Sequence, residues 1–261
     1  MIMTGKLIFF DIDGTLLDHD KNIPASTKES VRRLQEAGHE VAIATGRGPF
    51  MFKEIREELG IESFISYNGQ YAVRKGEVIV RNPIRPEYLQ RITDAAVAND
   101  HPIVYMNEET MKANIEQHDY IDESMSSLAL KNKVMEWDKE YYIGREIYQC
   151  LLFCTIGDEL KYRETFPELD FIRWHQFSMD VLPLGGSKAK GIETFVKLAG
   201  VRPEDVYAFG DGLNDIEMLQ LVHNSVAMGN AIESVQKAAK HVTKDVAEDG
   251  IKHGLELVGL L

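Results

Sequence analysis

The chain has 261 residues, of which 44% are hydrophobic, enough for one large core or for a core with an inserted domain. Its 42 acidic residues outnumber its 29 basic residues, and the net charge is −13. This balance argues against nucleic acid or an anionic membrane surface as a partner. Because the sequence also lacks a membrane-length apolar run and a signal-peptide pattern at its start, we expect a cytoplasmic protein.

The first eighty residues alternate between strand and helix patterns. A buried strand is predicted at Leu7 to Phe10, followed by a helix that begins with a capping box at Ser26 and Glu29 and ends at Gly38. The next predicted elements are a strand at 41–44, a helix at 49–59 and a strand at 64–67. This β-α-β-α-β order predicts a parallel sheet with right-handed crossovers.

The pattern changes in the middle of the chain and then returns. Strand and helix patterns between residues 81 and 183 predict an α+β unit with a mostly antiparallel sheet. We therefore predict an α/β fold: a Rossmann-like, doubly wound parallel-sheet core at 1–80 and 184–261, with an inserted α+β cap domain at 81–183. Two glycine-containing stretches, 67–70 and 183–186, are candidate hinges.

Two aspartates follow the first predicted strand in the motif Phe10-Asp11-Ile12-Asp13-Gly14-Thr15. Two residues apart on an extended chain, their carboxylates lie on one side of the strand end. Ligands of open α/β sheets bind outside the carboxyl ends of the strands, so this position favours a catalytic site. Asp11 could attack phosphorus to form an aspartyl-phosphate, with Asp13 as the general acid and base.

A second motif, Thr45-Gly46-Arg47, also stands at a strand end. Its hydroxyl group and the backbone N–H groups beside the glycine can hold phosphate oxygens, next to a helix start that favours anions. Two interpretations of Arg47 stay open, namely bidentate contact with a substrate phosphate and a solvated arginine at the helix end.

Lys188 lies at the first turn of a predicted helix, where the helix dipole disfavours a cation. This placement indicates a functional role, in which the ammonium group neutralises a phosphoryl group and the attacking carboxylate. An exposed lysine without a role is the alternative.

The last motif, Gly210-Asp211-Gly212-Leu213-Asn214-Asp215, again follows an apolar strand. It could be a simple turn, or it could complete an octahedral Mg²⁺ site built from hard oxygen ligands. The expected ligands are the carboxylates of Asp11 and Asp211 and the backbone carbonyl of Asp13. Asp215 could hold a metal-bound water or Lys188. Asn214 could contact the phosphate.

These motifs, in this order, resemble those of the haloacid dehalogenase (HAD) superfamily. The resemblance covers about residues 5–80 and 184–261, and the place of the insertion resembles the type IIB cap of the Cof-type branch, whose members are mostly phosphatases of small phosphorylated metabolites. It implies Asp11 as nucleophile, Asp13 as general acid and base, Thr45 and Lys188 as phosphate ligands, Asp211 as metal ligand and Asp215 as its support.

We therefore expect a Mg²⁺-dependent phosphatase that hydrolyses a small phosphorylated metabolite, such as a sugar phosphate, through an aspartyl-phosphate. The expected phosphate-binding residues are Thr45, Gly46, Arg47, Lys188 and Asn214. Two alternatives stay open: a phosphosugar mutase would return the phosphoryl group to another hydroxyl, and a non-catalytic binding protein would keep only the fold. The sequence does not determine the substrate or the oligomeric state.

Overall fold

The computed structural model describes residues 5–127 and 135–261. Residues 1–4, on which the expectation about the start of the chain partly rests, lie outside this range. The chain divides into two compact units, and we call them unit 1 (Met1–Arg47, Lys53–Val80 and Ser187–Leu261) and unit 2 (Gly48–Phe52 and Arg81–Gly186). Among the described residues, no helix is long and apolar enough to span a membrane.

The regular elements alternate along the chain. The strands are β1 (Leu7–Phe10), β2 (Glu40–Ala44), β3 (Ser63–Ser66), β4 (Tyr71–Arg74), β5 (Glu77–Arg81), β6 (Ile103–Met106), β7 (Met111–Ala113), β8 (Gln149–Phe153), β9 (Leu169–His175), β10 (Ser178–Pro183), β11 (Val206–Gly210), β12 (Asn224–Ala227) and β13 (His241–Val242). The α-helices are α1 (Ala25–Glu36), α2 (Lys53–Leu59), α3 (Pro86–Ala98), α4 (Asp119–Ser127), α5 (Ile156–Thr165), α6 (Lys188–Ala199), α7 (Ile216–Leu221), α8 (Glu233–Gln236) and α9 (Gly250–Leu257).

An eight-stranded sheet has the order β13-β12-β11-β1-β2-β3-β4-β5. The pairs from β13 to β3 are all parallel, and β4 runs antiparallel to β3. All four residues of β1 are fully buried because the strand lies inside the sheet, and Phe9 packs edge-to-face on Phe195 of α6 at 5.4 Å. The predicted α/β fold with a parallel-sheet core is confirmed.

Unit 2 contains a five-stranded sheet with the order β7-β6-β8-β10-β9, in which each pair of neighbours is antiparallel. Alternate residues of β8 enter a hydrophobic cluster that also contains residues of α3 and α5. Cys150 and Cys154 are free and buried, and burial raises the pKa of both thiols. The assignment of this unit as a cap domain stays a prediction.

The predicted capping box of α1 is wrong. The helix begins at Ala25 after Pro24, so Ser26 lies inside the first turn and its hydroxyl group is buried without a hydrogen-bond partner. Glu29 instead forms an ion pair with Arg32 at 2.6 Å. Pro24 occupies the N-cap position, and its backbone carbonyl accepts from the N–H groups of Thr27 and Lys28 at 3.0 and 3.1 Å.

Candidate active site

The site of unit 1 lies where parallel strands end. Asp11 directly follows β1, Thr45 follows β2 and Asp211 follows β11. The backbone N–H of Asp11 donates to the carbonyl of Phe209 at 3.0 Å, which continues the ladder between β1 and β11 by one residue. Since neighbouring parallel strands end at one edge of the sheet, three motifs separated by up to 200 residues meet there.

Lys188 is the centre of this cluster. It is the first residue of α6, it is 1% exposed, and its ammonium group donates to Asp11 Oδ1 at 2.6 Å and to Asp215 Oδ1 at 2.7 Å. The alternative of an exposed lysine is therefore wrong. Two carboxylates compensate the cost of placing a cation at a helix N-terminus and out of water.

Burial and charge act against each other at this ion pair. Burial by itself would lower the pKa of Lys188, but the attraction of Asp11 and Asp215 outweighs it and raises the pKa. For Asp11, burial raises the pKa, the lysine opposes this, and the neighbouring carboxylate of Asp215 adds to it. One ammonium group neutralises the charge of only one of the two carboxylates, Asp11 and Asp215. The remaining negative charge favours the binding of a proton or a cation at this cluster.

Asp215 is held from both sides and is fully buried. Its Oδ1 accepts from Lys188, while its Oδ2 accepts from the backbone N–H groups of Asp211 and Gly212 at 3.0 and 2.9 Å. The carboxylate thus links α6 to the turn after β11, and it fixes the position of the lysine.

Asp211 is positioned by two other segments, the turn after β1 and the turn after β12. Thr15 Oγ1 donates to its Oδ1 at 2.9 Å, and Asn230 Nδ2 donates to its Oδ2 at 3.2 Å. Gly14 has a φ of 79°, and a Cβ at this position would lie 2.2 Å from Asp211 Oδ2, so only glycine allows the approach. Burial raises the pKa of Asp211 to about 6, although the Thr15 hydrogen bond opposes this.

Carboxylate oxygens of Asp11, Asp211 and Asp215 all lie within 4.8 Å of one another. In the hydrogen bonds described above, Lys188 is the cation that contacts these carboxylates. The three carboxylates therefore carry more negative charge than their protein partners neutralise. Hard oxygen donors with excess negative charge are the ligands that Mg²⁺ prefers. The donor set therefore fits a divalent cation.

Asp13 lies beside the cluster and is engaged by two cations. The guanidinium of Arg47 binds it in a bidentate manner, from Nε to Oδ2 at 2.8 Å and from Nη2 to Oδ1 at 2.6 Å. Lys21 Nζ binds Oδ1 at 2.8 Å. Although burial acts in the opposite direction, these ion pairs hold the pKa of Asp13 below its ordinary value. Arg47, whose side chain is 12% exposed, is thus bound to a carboxylate and is not a solvated helix-end arginine.

The remaining predicted residues differ in their surroundings. Thr45 is buried, and its Oγ1 accepts from the backbone N–H of Arg47 at 3.1 Å, which leaves its own O–H able to donate. Asn214 is exposed in the turn at Leu213–Asp215, and within the described part of the chain its side chain makes no hydrogen bond to the carboxylates.

Two residues of the site were missed by the sequence analysis. Lys21 lies eight residues after its partner, and no motif marks it. Asn230 follows the end of β12, so the rule that polar residues after parallel strands gather at one edge could have found it. The predicted hinge at 67–70 lies inside unit 1 and not at its boundary with unit 2, and both Tyr67 and Asn68 are buried. Its role as a hinge stays a prediction.

The sequence matches the family model of the haloacid dehalogenase-like hydrolases over residues 8–255. YkrA of Bacillus subtilis, whose name marks it as a candidate phosphatase, is 50% identical over 259 residues, which cover 99% of this chain and 100% of YkrA.

Solved structures agree with this match. A hypothetical protein from Geobacillus kaustophilus HTA426 is 51% identical, with a TM-score of 0.94, over 98% of this chain and 100% of its own. BT4131, described as a HAD subclass IIB sugar phosphatase, is 30% identical, with a TM-score of 0.85, over 98% of this chain and 100% of its own. The chain therefore belongs to the family of haloacid dehalogenase-like hydrolases.

Proposed function

We propose that the protein is a Mg²⁺-dependent phosphatase that hydrolyses the phosphate monoester of a small metabolite through an aspartyl-phosphate on Asp11. The observation that carries this proposal is the buried ion pair of Lys188 with Asp11 and Asp215. A lysine in this position holds the Asp11 carboxylate in place and offers positive charge where a phosphoryl group would arrive.

In the first step, a carboxylate oxygen of Asp11 forms a bond to phosphorus and the ester P–O bond breaks. The leaving oxygen takes a proton from Asp13. In the second step, Asp13 takes a proton from water, the water oxygen bonds to phosphorus, and the bond between phosphorus and Asp11 breaks. Inorganic phosphate is released, and both aspartates return to their initial states.

Asp13 can act as an acid only if it is protonated, whereas Arg47 and Lys21 favour its charged form. An incoming phosphoryl dianion competes for the same guanidinium fork. Transfer of Arg47 from Asp13 to the phosphate would raise the pKa of Asp13 at the moment when the leaving group needs a proton. This exchange gives Arg47 the role of a phosphate ligand, beside Thr45 and Gly46.

Mg²⁺ would be held by the carboxylates of Asp11 and Asp211, with the backbone carbonyl of Asp13 and waters completing its coordination. When bound, it would neutralise the excess negative charge of the cluster and polarise the phosphoryl group. Thr15 and Asn230 orient Asp211 for this purpose, and Asp215 contributes by holding Lys188.

The names of relatives support a small substrate with hydroxyl groups. YitU and YcsE of Bacillus subtilis, which are 27% and 28% identical to this chain, are named 5-amino-6-(5-phospho-D-ribitylamino)uracil phosphatases. BT4131 is described as a subclass IIB sugar phosphatase. We assign unit 2 to the same cap class, in which it would select the organic part of the substrate.

The first test is phosphate release from a panel of phosphorylated sugars, sugar alcohols and nucleotides and an aryl phosphate, with Mg²⁺ or with chelator. We expect Mg²⁺-dependent release that is lost in Asp11→Asn, because the amide is a poor nucleophile of nearly the same volume. Unaltered circular dichroism of the variant is the control for folding. Turnover close to that of the wild type in Asp11→Asn would contradict the covalent mechanism, and conserved ester in the products would indicate a mutase.

A further inference from the structure

One buried side chain beside the proposed phosphate site has no role in the mechanism above. Asn68 lies in the turn Tyr67–Gly69 after β3 and is 3% exposed. Its Oδ1 is buried without a hydrogen-bond partner, and among the described residues no hydrogen bond of its side chain is found. Buried amides are nearly always hydrogen-bonded, so this group calls for an explanation.

The amide lies directly against the second motif. A Cβ on Gly46 would be 3.1 Å from Asn68 Nδ2 and 3.3 Å from its Oδ1. The backbone N–H of Asn68 donates to the carbonyl of Thr45 at 3.1 Å, and that of Tyr67 donates to the carbonyl of Arg47 at 3.3 Å. The turn and the Thr45-Gly46-Arg47 loop are therefore held together by two backbone hydrogen bonds.

The backbone of this turn is unusual. Tyr67 and Asn68 have φ values of 52° and 51°, a conformation that residues other than glycine rarely adopt twice in succession. On its other side the turn lies close to the start of α6, because a Cβ on Gly69 would lie 2.5 Å from the carbonyl oxygen of Ser187, the N-cap of the helix. Strained conformations of this kind persist where the surroundings enforce them, and they concentrate at ligand sites.

We propose that the Asn68 amide is a further phosphate-binding residue, which donates through its NH₂ group to an oxygen of the phosphoryl group held at Thr45 and Gly46. A phosphoryl dianion only accepts hydrogen bonds, so the NH₂ end must face it. A half-turn about the Cβ–Cγ bond exchanges the two ends of the amide without other movement. The inference rests on the proposed phosphate site, but it does not require turnover.

The test is calorimetric binding of inorganic phosphate in the presence of Mg²⁺. Asn68→Gly and Asn68→Asp both tolerate the left-handed backbone, so neither adds strain. We expect the Kd for phosphate to rise about 10- to 100-fold in Asn68→Gly, the worth of a hydrogen bond to a charged group. Asn68→Asp should bind still more weakly, because it places a carboxylate beside the dianion.

Lys75→Gly is the matched control, since Lys75 has a φ of 49° and is exposed in the turn between β4 and β5. Its phosphate affinity should equal that of the wild type. A folded Asn68→Gly or Asn68→Asp protein with wild-type phosphate affinity would overturn the inference. A raised KM for one substrate with unaltered phosphate affinity would also overturn it, because this result would place the amide on the organic part of the substrate. Because phosphate release is measured separately, failure of the phosphatase proposal is distinguishable from failure here.

Discussion

The chemistry of this site depends on a few side chains whose charges are balanced only locally. Lys188 is the clearest case, because burial and the helix dipole both oppose its charge and two carboxylates keep it charged. Asp13 is the reverse case, since Arg47 and Lys21 keep a carboxylate deprotonated that the proposed mechanism must protonate. At the scale of single residues, the protonation state of each catalytic group therefore depends on the charged partner that it contacts at each step.

Replacing Lys188 tests this balance. Lys188→Met should abolish phosphate release and destabilise the metal-free protein by about 3–5 kcal/mol, because it leaves Asp11 and Asp215 buried without their cation. Chemical denaturation with and without Mg²⁺ measures the loss. Lys190→Met is the control, as Lys190 is exposed two residues along the same helix and should change neither quantity. Wild-type stability of Lys188→Met would argue against the ion pair as the organising contact.

At the scale of elements, the site is assembled from turns that follow parallel strands. The turns after β1 and β11 touch each other through Gly14 and Asp211, and Asn230 after β12 bonds to both. Each turn is short and is fixed by its own strand, so the sheet places the carboxylates without long flexible loops. The strand ends, which are marked by polar residues, could therefore be predicted from the sequence. The contacts among the turns could not be predicted in this way.

Asn230 provides a test at this scale. Asn230→Ala removes the hydrogen bonds to the carbonyl of Gly14 and to Asp211, so the Mg²⁺ concentration for half-maximal activity should rise about tenfold, the worth of one or two such bonds. Saturating Mg²⁺ should restore most of the turnover.

The control for this variant is Asn224→Ala, on β12, whose amide binds the carbonyls of Glu204 and Val206. It should lower thermal stability and leave the Mg²⁺ requirement alone. Equal Mg²⁺ curves for Asn230→Ala and the wild type would show that Asn230 does not orient the metal ligand.

At the scale of the whole molecule, stability, pH and metal binding are linked through the carboxylate cluster. Burial raises the pKa of Asp11 and of Asp211, the latter to about 6, so the folded metal-free protein keeps protons that the unfolded chain releases near pH 4. Their contribution to stability is complete below about pH 4 and is lost as the pH rises through their folded pKa values. Mg²⁺ competes with the same protons.

The difference in Tm between Mg²⁺-loaded and Mg²⁺-free protein should therefore increase from pH 5 to pH 8. At a Mg²⁺ concentration about 100 times its Kd, the difference should be about 5–10 °C. The difference in Tm removes the contribution of groups remote from the cluster to the pH dependence. Examples are His39 and His101, whose pKa values are lowered by burial. Scanning calorimetry measures the difference in Tm, and Asp211→Asn should flatten the pH dependence. A difference in Tm that is independent of pH would show that metal binding does not compete with the protons of these carboxylates.

The sequence by itself determined the fold class and the motifs that meet at the site. Apolar runs followed by Asp11, Thr45 and Asp211 indicated parallel strands with polar ends. Strand burial and turn formation depend on residues that are close along the chain, so the sequence shows both. The resemblance to the haloacid dehalogenase superfamily rested on the same residues, and the match over residues 8–255 confirms it.

Only the tertiary structure decided the partners of these residues. Arg47 binds Asp13, Asn230 binds Asp211, and the Asn68 amide lies against Gly46. Lys21 joins this group from a turn that carries no motif. Such contacts join residues that are distant along the chain, so neither periodicity nor propensity specifies them. They arise because the sheet brings several strand ends within a few ångströms, where charge and burial select the pairs.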